Sequence, residues 1–324
     1  MQKLPNHKIL FIYGPTGVGK TAIAEKLGGQ LPIEIVNMDV GQFYEPLTIG
    51  TAKPDWHSSP IPHHLFDTIH EPRNYTVVQY RHDLADVVWD IWQRQRLPVV
   101  VGGSGFYLRG LFFPPKENPI GAAEDLEVDR PANELWERLR AIDPERAQSI
   151  GKNDLYRIER ALALWKTTGK KPSELQPTFD PLPGNHTIVC LNRDRHELYS
   201  RINDRVVAMM HDGWLEEVKR LRGSDWERFL KEKKLIGYNE LLDCLNHAQT
   251  SSSLTEVIQT IQQRTRNYAK RQLTFWRMLS KQLEHERAEK DGALAITLAE
   301  VNLTTVDLDL YIKQLSHVLV NSHT

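Results

Sequence analysis

Residues 14–21 read Gly14-Pro15-Thr16-Gly17-Val18-Gly19-Lys20-Thr21, a full match to the G-x-x-x-x-G-K-[ST] loop. No other feature limits the fold so tightly. The apolar run Ile9–Tyr13 ahead of it reads as a buried strand, and Thr21–Leu27 behind it has helical composition up to Gly28-Gly29. In that context the glycines let backbone N–H groups converge on a diphosphate or triphosphate. The positive end of the helix points at the same spot. Lys20 is placed to reach a terminal phosphate, and the Thr21 hydroxyl to ligate Mg²⁺.

Further apolar runs, Ile33–Val36, Leu97–Val101 and Thr187–Leu191, alternate with helical stretches such as Val77–Gln95. This rhythm predicts a P-loop NTPase-like parallel α/β sheet flanked by helices, with ligands at the carboxyl ends of its strands. Prolines 114, 115, 119 and 131, then 172, 177, 181 and 183, bracket two helical patterns, Ala132–Ile142 and Asp154–Thr168. Residues 115–184 are therefore expected to form a helical insertion in a core built from 1–114 and 185–324. In the second pattern Leu155, Ile158, Leu162 and Trp165 share a face, with Asn153 able to cap the start and Gly169 the end. A long helix is expected over about Leu254–Leu283.

Charge nearly cancels, 41 Lys and Arg against 42 Asp and Glu, so a globally basic nucleic-acid binder is excluded while a local basic stripe is not. The two cysteines, Cys190 and Cys244, form neither a disulfide framework nor a zinc site and suit a reducing compartment. With a polar start at Met1–Lys8 and no uncharged apolar run near the ~18 residues of a membrane span, a cytoplasmic, membrane-free protein is expected.

Asp39 ends the second strand, beside the phosphate loop. It could ligate Mg²⁺ in an ATPase, deprotonate an acceptor, or merely cap a turn. The third strand ends in Gly102-Gly103-Ser104-Gly105 and supplies no acid to orient a water, which favours a transferase over a hydrolase. His57, His63, His64 and His70 lack partner cysteines and are read as loop residues rather than a metal site.

Several segments carry a resemblance. Asp39-Val40-Gly41-Gln42-Phe43-Tyr44 and Ile49-Gly50-Thr51-Ala52-Lys53-Pro54 come first, then Pro62-His63-His64-Leu65 and Val101–Tyr107. Asn153-Asp154 with Arg157 and Arg160, Arg201-Ile202-Asn203 with Arg205, Ile236-Gly237-Tyr238 and Tyr268–Thr274 follow in order. Together they span roughly residues 9–277 and resemble the bacterial type of the tRNA dimethylallyltransferase (tRNA isopentenyltransferase) family.

The resemblance implies transfer of a five-carbon group from dimethylallyl diphosphate to N6 of the adenosine just 3′ of the anticodon, with release of pyrophosphate. In the family that adenosine is flipped into a channel that the prenyl donor enters from the opposite side. By resemblance Asp39 is the general base and Ser104 assists it, through a hydroxyl able to bond Asp39 or the substrate. Residues 14–21 with Arg205, and Arg201 in reserve, hold the diphosphate with Mg²⁺ on Thr21. The anticodon stem-loop of tRNA would meet Asp39, Val40, Gly41, Gln42, Arg157, Arg160, Arg266, Lys270, Arg271, Gln272 and Arg277. A monomer is expected.

Composition supports the basic part of this set. Val257–Leu283 holds no acidic residue and six basic ones, and at ~100° per residue Arg266, Lys270, Arg277 and Lys281 share one helical face. Ile261, Tyr268, Trp276 and Leu279 share the opposite face and read as core. Val40 stands where the family usually has serine, and Glu45 where a basic residue is common. The insertion is short for the family and acidic at Asp125, Glu127 and Asp129. Three alternatives fit the same cradle: a small-molecule kinase, a prenyltransferase acting on free adenine nucleotides, and a nucleotide-dependent RNA-binding module without catalysis.

Overall fold

Strand β1 (Lys8–Tyr13) is buried along its whole length and lies between β4 (Leu97–Gly102) and β5 (Asn185–Asn192). The computed structural model describes residues 7–113, 131–175, 182–246, 253–289 and 296–321. Among these, β2 (Ile33–Asn37), β3 (His63–His64) and β6 (Ile296–Asn302) complete a sheet of order β3-β2-β4-β1-β5-β6. Every pairing in it is parallel. Strands this apolar on both faces need helices on both sides.

The helices are α1 (Lys20–Gly28), α2 (Val77–Gln93), α3 (Gly105–Phe112), α4 (Ala132–Ile142), α5 (Pro144–Gln148) and α6 (Leu155–Thr168). After β5 come α7 (Arg195–His211), α8 (Trp214–Leu221), α9 (Asp225–Lys233), α10 (Tyr238–Asn246), α11 (Leu254–Glu289) and α12 (Leu308–Asn321). No described helix is long and apolar enough to cross a membrane.

The register fixes where the loops meet. Tyr13 pairs with Gly102 and Asn37 with Val101, so the loops after β1, β2 and β4 emerge at one carboxyl edge. Gly102 permits the approach: a Cβ there would lie 2.3 Å from the carbonyl of Met38. Leu10, Ile12, Val99, Val189, Ile202 and Leu315 belong to one core cluster, which joins the sheet to α1, α7 and α12.

Two compact units divide the chain: Met1–Phe112 with Leu182–Thr324, and Phe113–Pro181. In the second, Leu135, Trp136, Leu139, Ala147, Ile150, Ile158 and Ala161 form a separate core. Two details of α6 differ from expectation. Its cap is Asp154, whose Oδ1 accepts from the Arg157 N–H at 3.2 Å, one residue beyond Asn153. Its buried stripe is Ile158, Ala161 and Leu164, while Leu155 is exposed, because α4 and α5 cover a face slightly rotated from the most apolar one. Gly169 ends the helix in the left-handed conformation, as read. Prolines 114, 115, 119, 177 and 181 and the acids Asp125, Glu127 and Asp129 lie outside the described residues.

Candidate active site

The loop Gly14–Gly19 turns directly from β1 into α1. Gly17 and Gly19 have φ of 81° and 106°, a region that a side chain would strain. The loop borders a cavity of about 590 Å³, lined by Thr16, Gly17, Gly19, Lys20 and Thr21 on one side and Asp39, Gln42, Thr51 and Ala52 on another. Arg201 and Arg205 of α7, with Asp204 and Glu25, complete the wall.

Cations gather at the cradle. Lys20 donates to the carbonyls of Gly14 and Pro15, each at 3.1 Å. Burial of its ammonium lowers its pKa to about 8, against the opposing pull of Asp39. Arg205 donates to the Thr16 hydroxyl at 3.3 Å, and Arg201 to the Gly17 carbonyl at 2.9 Å. Burial lowers the pKa of Arg205, and Asp39 again opposes the shift. An arginine remains charged under such a shift, so the cradle holds fixed positive charge. Val18 contributes backbone alone, since its side chain is fully buried in the core.

Asp39 is held from both sides. Its N–H donates to Asn37 Oδ1 at 2.8 Å, while Asn37 Nδ2 donates to the carbonyls of Asp39 and Leu65. A short 3₁₀ turn, Val40–Phe43, follows. The Ser104 Oγ accepts the Val40 N–H at 3.2 Å, bracing that turn, which leaves its own O–H to donate. Gly41 is buried against Thr51, and Gln42 donates from Nε2 to the carbonyls of Thr51 and Ala52.

Long-range packing assigns α11 two different sides. Gln272, expected to contact RNA, is buried: its Oε1 accepts the Thr16 N–H at 2.9 Å, and its Nε2 donates to the Gly103 carbonyl at 2.8 Å. The Tyr13 hydroxyl donates to the Gln272 carbonyl, so this residue ties α11, the phosphate loop and the end of β4 together. Arg266 is also committed, to Asn203 Oδ1 of α7 and Gln263 Oε1, each at 2.5 Å. Lys270, Arg271, Arg277 and Lys281 remain exposed. Tyr268, expected in the core, is only partly buried and feels the charge of Asp39, which adds to burial in raising its pKa. Arg157 and Arg160 lie on α6 of the second unit, beside Asp154 and Tyr156 respectively.

The histidines have ordinary partners. His64 Nε2 lies 2.6 Å from Glu34, His70 bonds Glu45, His63 lies 2.7 Å from the Ile61 carbonyl, and His57 stacks on Trp56. Sequence reasoning missed Arg193, which donates to the Val18 carbonyl at 2.9 Å and pairs with Glu197. Its i,i+4 pair with Glu197 looks like any helix-surface ion pair, and the bond to the phosphate loop spans 175 residues.

Replacing Gln272 by Ala should cost about 1–3 kcal/mol of stability, because it strands the Thr16 donor and the Gly103 acceptor. Thermal unfolding checks this. The KM for a diphosphate donor should rise while RNA affinity holds; lost RNA affinity with an unchanged donor KM would return Gln272 to the RNA surface.

The parallel sheet and the glycine-rich loop between β1 and α1 place the chain in the P-loop α/β class. Comparisons narrow the class. A family model described as IPP transferase matches residues 42–279. The tRNA dimethylallyltransferase of Thermotoga petrophila is 37% identical over 277 residues, 83% of this chain and 89% of its own. The tRNA dimethylallyltransferase 1 of Syntrophotalea carbinolica is 36% identical over 83% of this chain and 87% of its own. The full-length tRNA isopentenylpyrophosphate transferase from Bacillus halodurans has a TM-score of 0.64 and 31% identity, covering 97% of this chain and 95% of its own. A eukaryotic dimethylallyltransferase acting on tRNA has a TM-score of 0.72 and 28% identity, covering 92% of this chain and 74% of its own. The chain belongs to the IPP transferase family of prenyl-transferring enzymes.

Proposed function

We propose that this enzyme transfers a dimethylallyl group from dimethylallyl diphosphate to N6 of the adenosine immediately 3′ of a tRNA anticodon. The observation that carries the reading is a single cavity bordered by the cationic phosphate loop, the Asp39 carboxylate and the Gln42 amide. The relatives named for tRNA dimethylallyl transfer support the choice of substrates.

An exocyclic adenine amine is a weak nucleophile because its lone pair is delocalised into the ring. As N6 bonds to the allylic carbon, that carbon's bond to oxygen breaks and its electron pair leaves with pyrophosphate. The N6 proton passes to Asp39 as general base. Lys20, Arg201, Arg205 and the loop amides stabilise the charge that builds on pyrophosphate. Ser104 acts through the Val40 amide, keeping the turn beside Asp39 in place.

Mg²⁺ fits the cavity's chemistry, because Thr21 at its wall offers a hydroxyl, a hard oxygen donor. Bound there with Thr21 as ligand, it would neutralise diphosphate charge. On the RNA side, the exposed Lys270, Arg271 and Arg277 of α11 and the α6 residues Arg157 and Arg160 meet backbone phosphates. Asp39, Val40, Gly41 and Gln42 surround the base.

Dimethylallyl diphosphate labelled in its carbon chain tests the proposal. The label should enter acid-precipitable tRNA only with tRNA, donor and Mg²⁺ all present. Transfer to free adenosine monophosphate in preference to tRNA would instead favour the nucleotide prenyltransferase.

A further inference from the structure

Helix α8 begins with two adjacent glutamates of opposite fate. Glu216 is exposed and pairs with Lys219, whereas Glu217 is buried in the protein. The Glu217 Oε2 accepts the N–H groups of Thr48 at 3.0 Å and Ile49 at 2.7 Å. Its Oε1 accepts the Gly50 N–H at 3.2 Å and the Tyr238 hydroxyl at 2.6 Å. One carboxylate thus satisfies three successive amides of a loop nearly 170 residues away in sequence.

Trp214 of the same helix closes the fit. A Cβ on Gly50 would lie 2.0 Å from its indole nitrogen, and a Cβ on Gly237 1.9 Å from its ring. Glycine at both positions lets the loop and the start of α10 close on the indole, bringing Tyr238 to Glu217. The segments Ile49–Pro54 and Ile236–Tyr238 therefore meet at this one helix.

The held loop ends in the cavity wall. Thr51 and Ala52 follow directly, and both line the cavity with Gln42. Their carbonyls take the Nε2 hydrogens of Gln42 at 3.2 and 3.3 Å. The amide oxygen is then the group that Gln42 offers a ligand, an acceptor suited to the N–H of an exocyclic amine.

We infer that Glu217 is a positioning residue for the acceptor base: by fixing Thr48–Gly50 it places the Thr51 and Ala52 carbonyls that orient the Gln42 amide. The inference rests on the adenosine reading of the cavity. A glutamine at 217 keeps the shape but turns an NH₂ donor toward a ring of donors.

The test uses full-length Glu217→Gln and Tyr238→Phe beside wild type, with hydrogen–deuterium exchange and steady-state kinetics. In Glu217→Gln the amides of residues 48–52 should exchange faster while those of the phosphate loop keep their protection. Its kcat/KM for tRNA should fall roughly tenfold or more, with the donor KM within about twofold of wild type. Tyr238→Phe, which removes one of the four bonds, should fall between the two and provides the readout if Glu217→Gln fails to fold. Unchanged exchange at 48–52, or equal losses toward donor and tRNA, would overturn the inference. If wild type transfers nothing to tRNA, the adenosine reading fails instead, and the exchange data still decide whether Glu217 holds the loop.

Discussion

Asp39→Asn should lower kcat for prenyl transfer by about 10²–10⁴-fold, the usual contribution of a positioned general base. The asparagine preserves side-chain shape, and the Asn37 and Ser104 bonds that hold the turn involve backbone groups of residues 39 and 40. The loss should therefore fall on kcat, with tRNA affinity and donor KM little changed. Asp39 also favours the charged form of Lys20, so the comparison belongs at a pH below the lysine's value of about 8. A collapse of donor affinity with kcat intact, rescued by excess Mg²⁺, would make Asp39 a cation ligand rather than a base.

Lys20→Gln should reduce kcat/KM for the donor by about 10²–10³-fold, since it removes a charged donor aimed at the leaving group. The ammonium rests on the Gly14 and Pro15 carbonyls and must leave them to meet phosphate. Its pKa near 8 adds a pH signature. Below that value the side chain is protonated and attracts the anion. As pH rises through 8 the free enzyme loses the proton, and donor affinity should fall by at most about tenfold per pH unit. Lys20 is the group that titrates here, so the decline should vanish in Lys20→Gln. A decline that persists in the variant would assign the titration to another group.

What the sequence disclosed follows from how local each signal is. The cradle at 14–21 and Asp39 two residues past β2 were legible because a short motif and one strand define them. The resemblance gives Gln272 to the RNA through the Ala269-Lys270-Arg271-Gln272 segment; helical periodicity instead sets it on the core face with Ile261 and Leu279, and its bonds to Gly103 and Thr16 are a tertiary fact. Arg266 fits the basic face by angle but is spent on Asn203. Glu217 could not be told from Glu216, since the Trp-Leu-Glu-Glu-Val run says only that acids start a helix. Strand β6 is hidden in the sequence for a similar reason. Only Ile296 and Val301 are buried in it, as befits an edge strand, and Glu300 inside it looks like a solvent residue until it meets the indole N–H of Trp276.

The most direct measurement is nucleoside analysis of tRNA after incubation with enzyme, Mg²⁺ and dimethylallyl diphosphate. Digestion and mass spectrometry should reveal N6-dimethylallyladenosine at the position 3′ of the anticodon in the wild-type reaction and almost none with Asp39→Asn. Suitable tRNA carrying an unmodified adenosine there, recovered without the prenyl group, would contradict the proposed reaction.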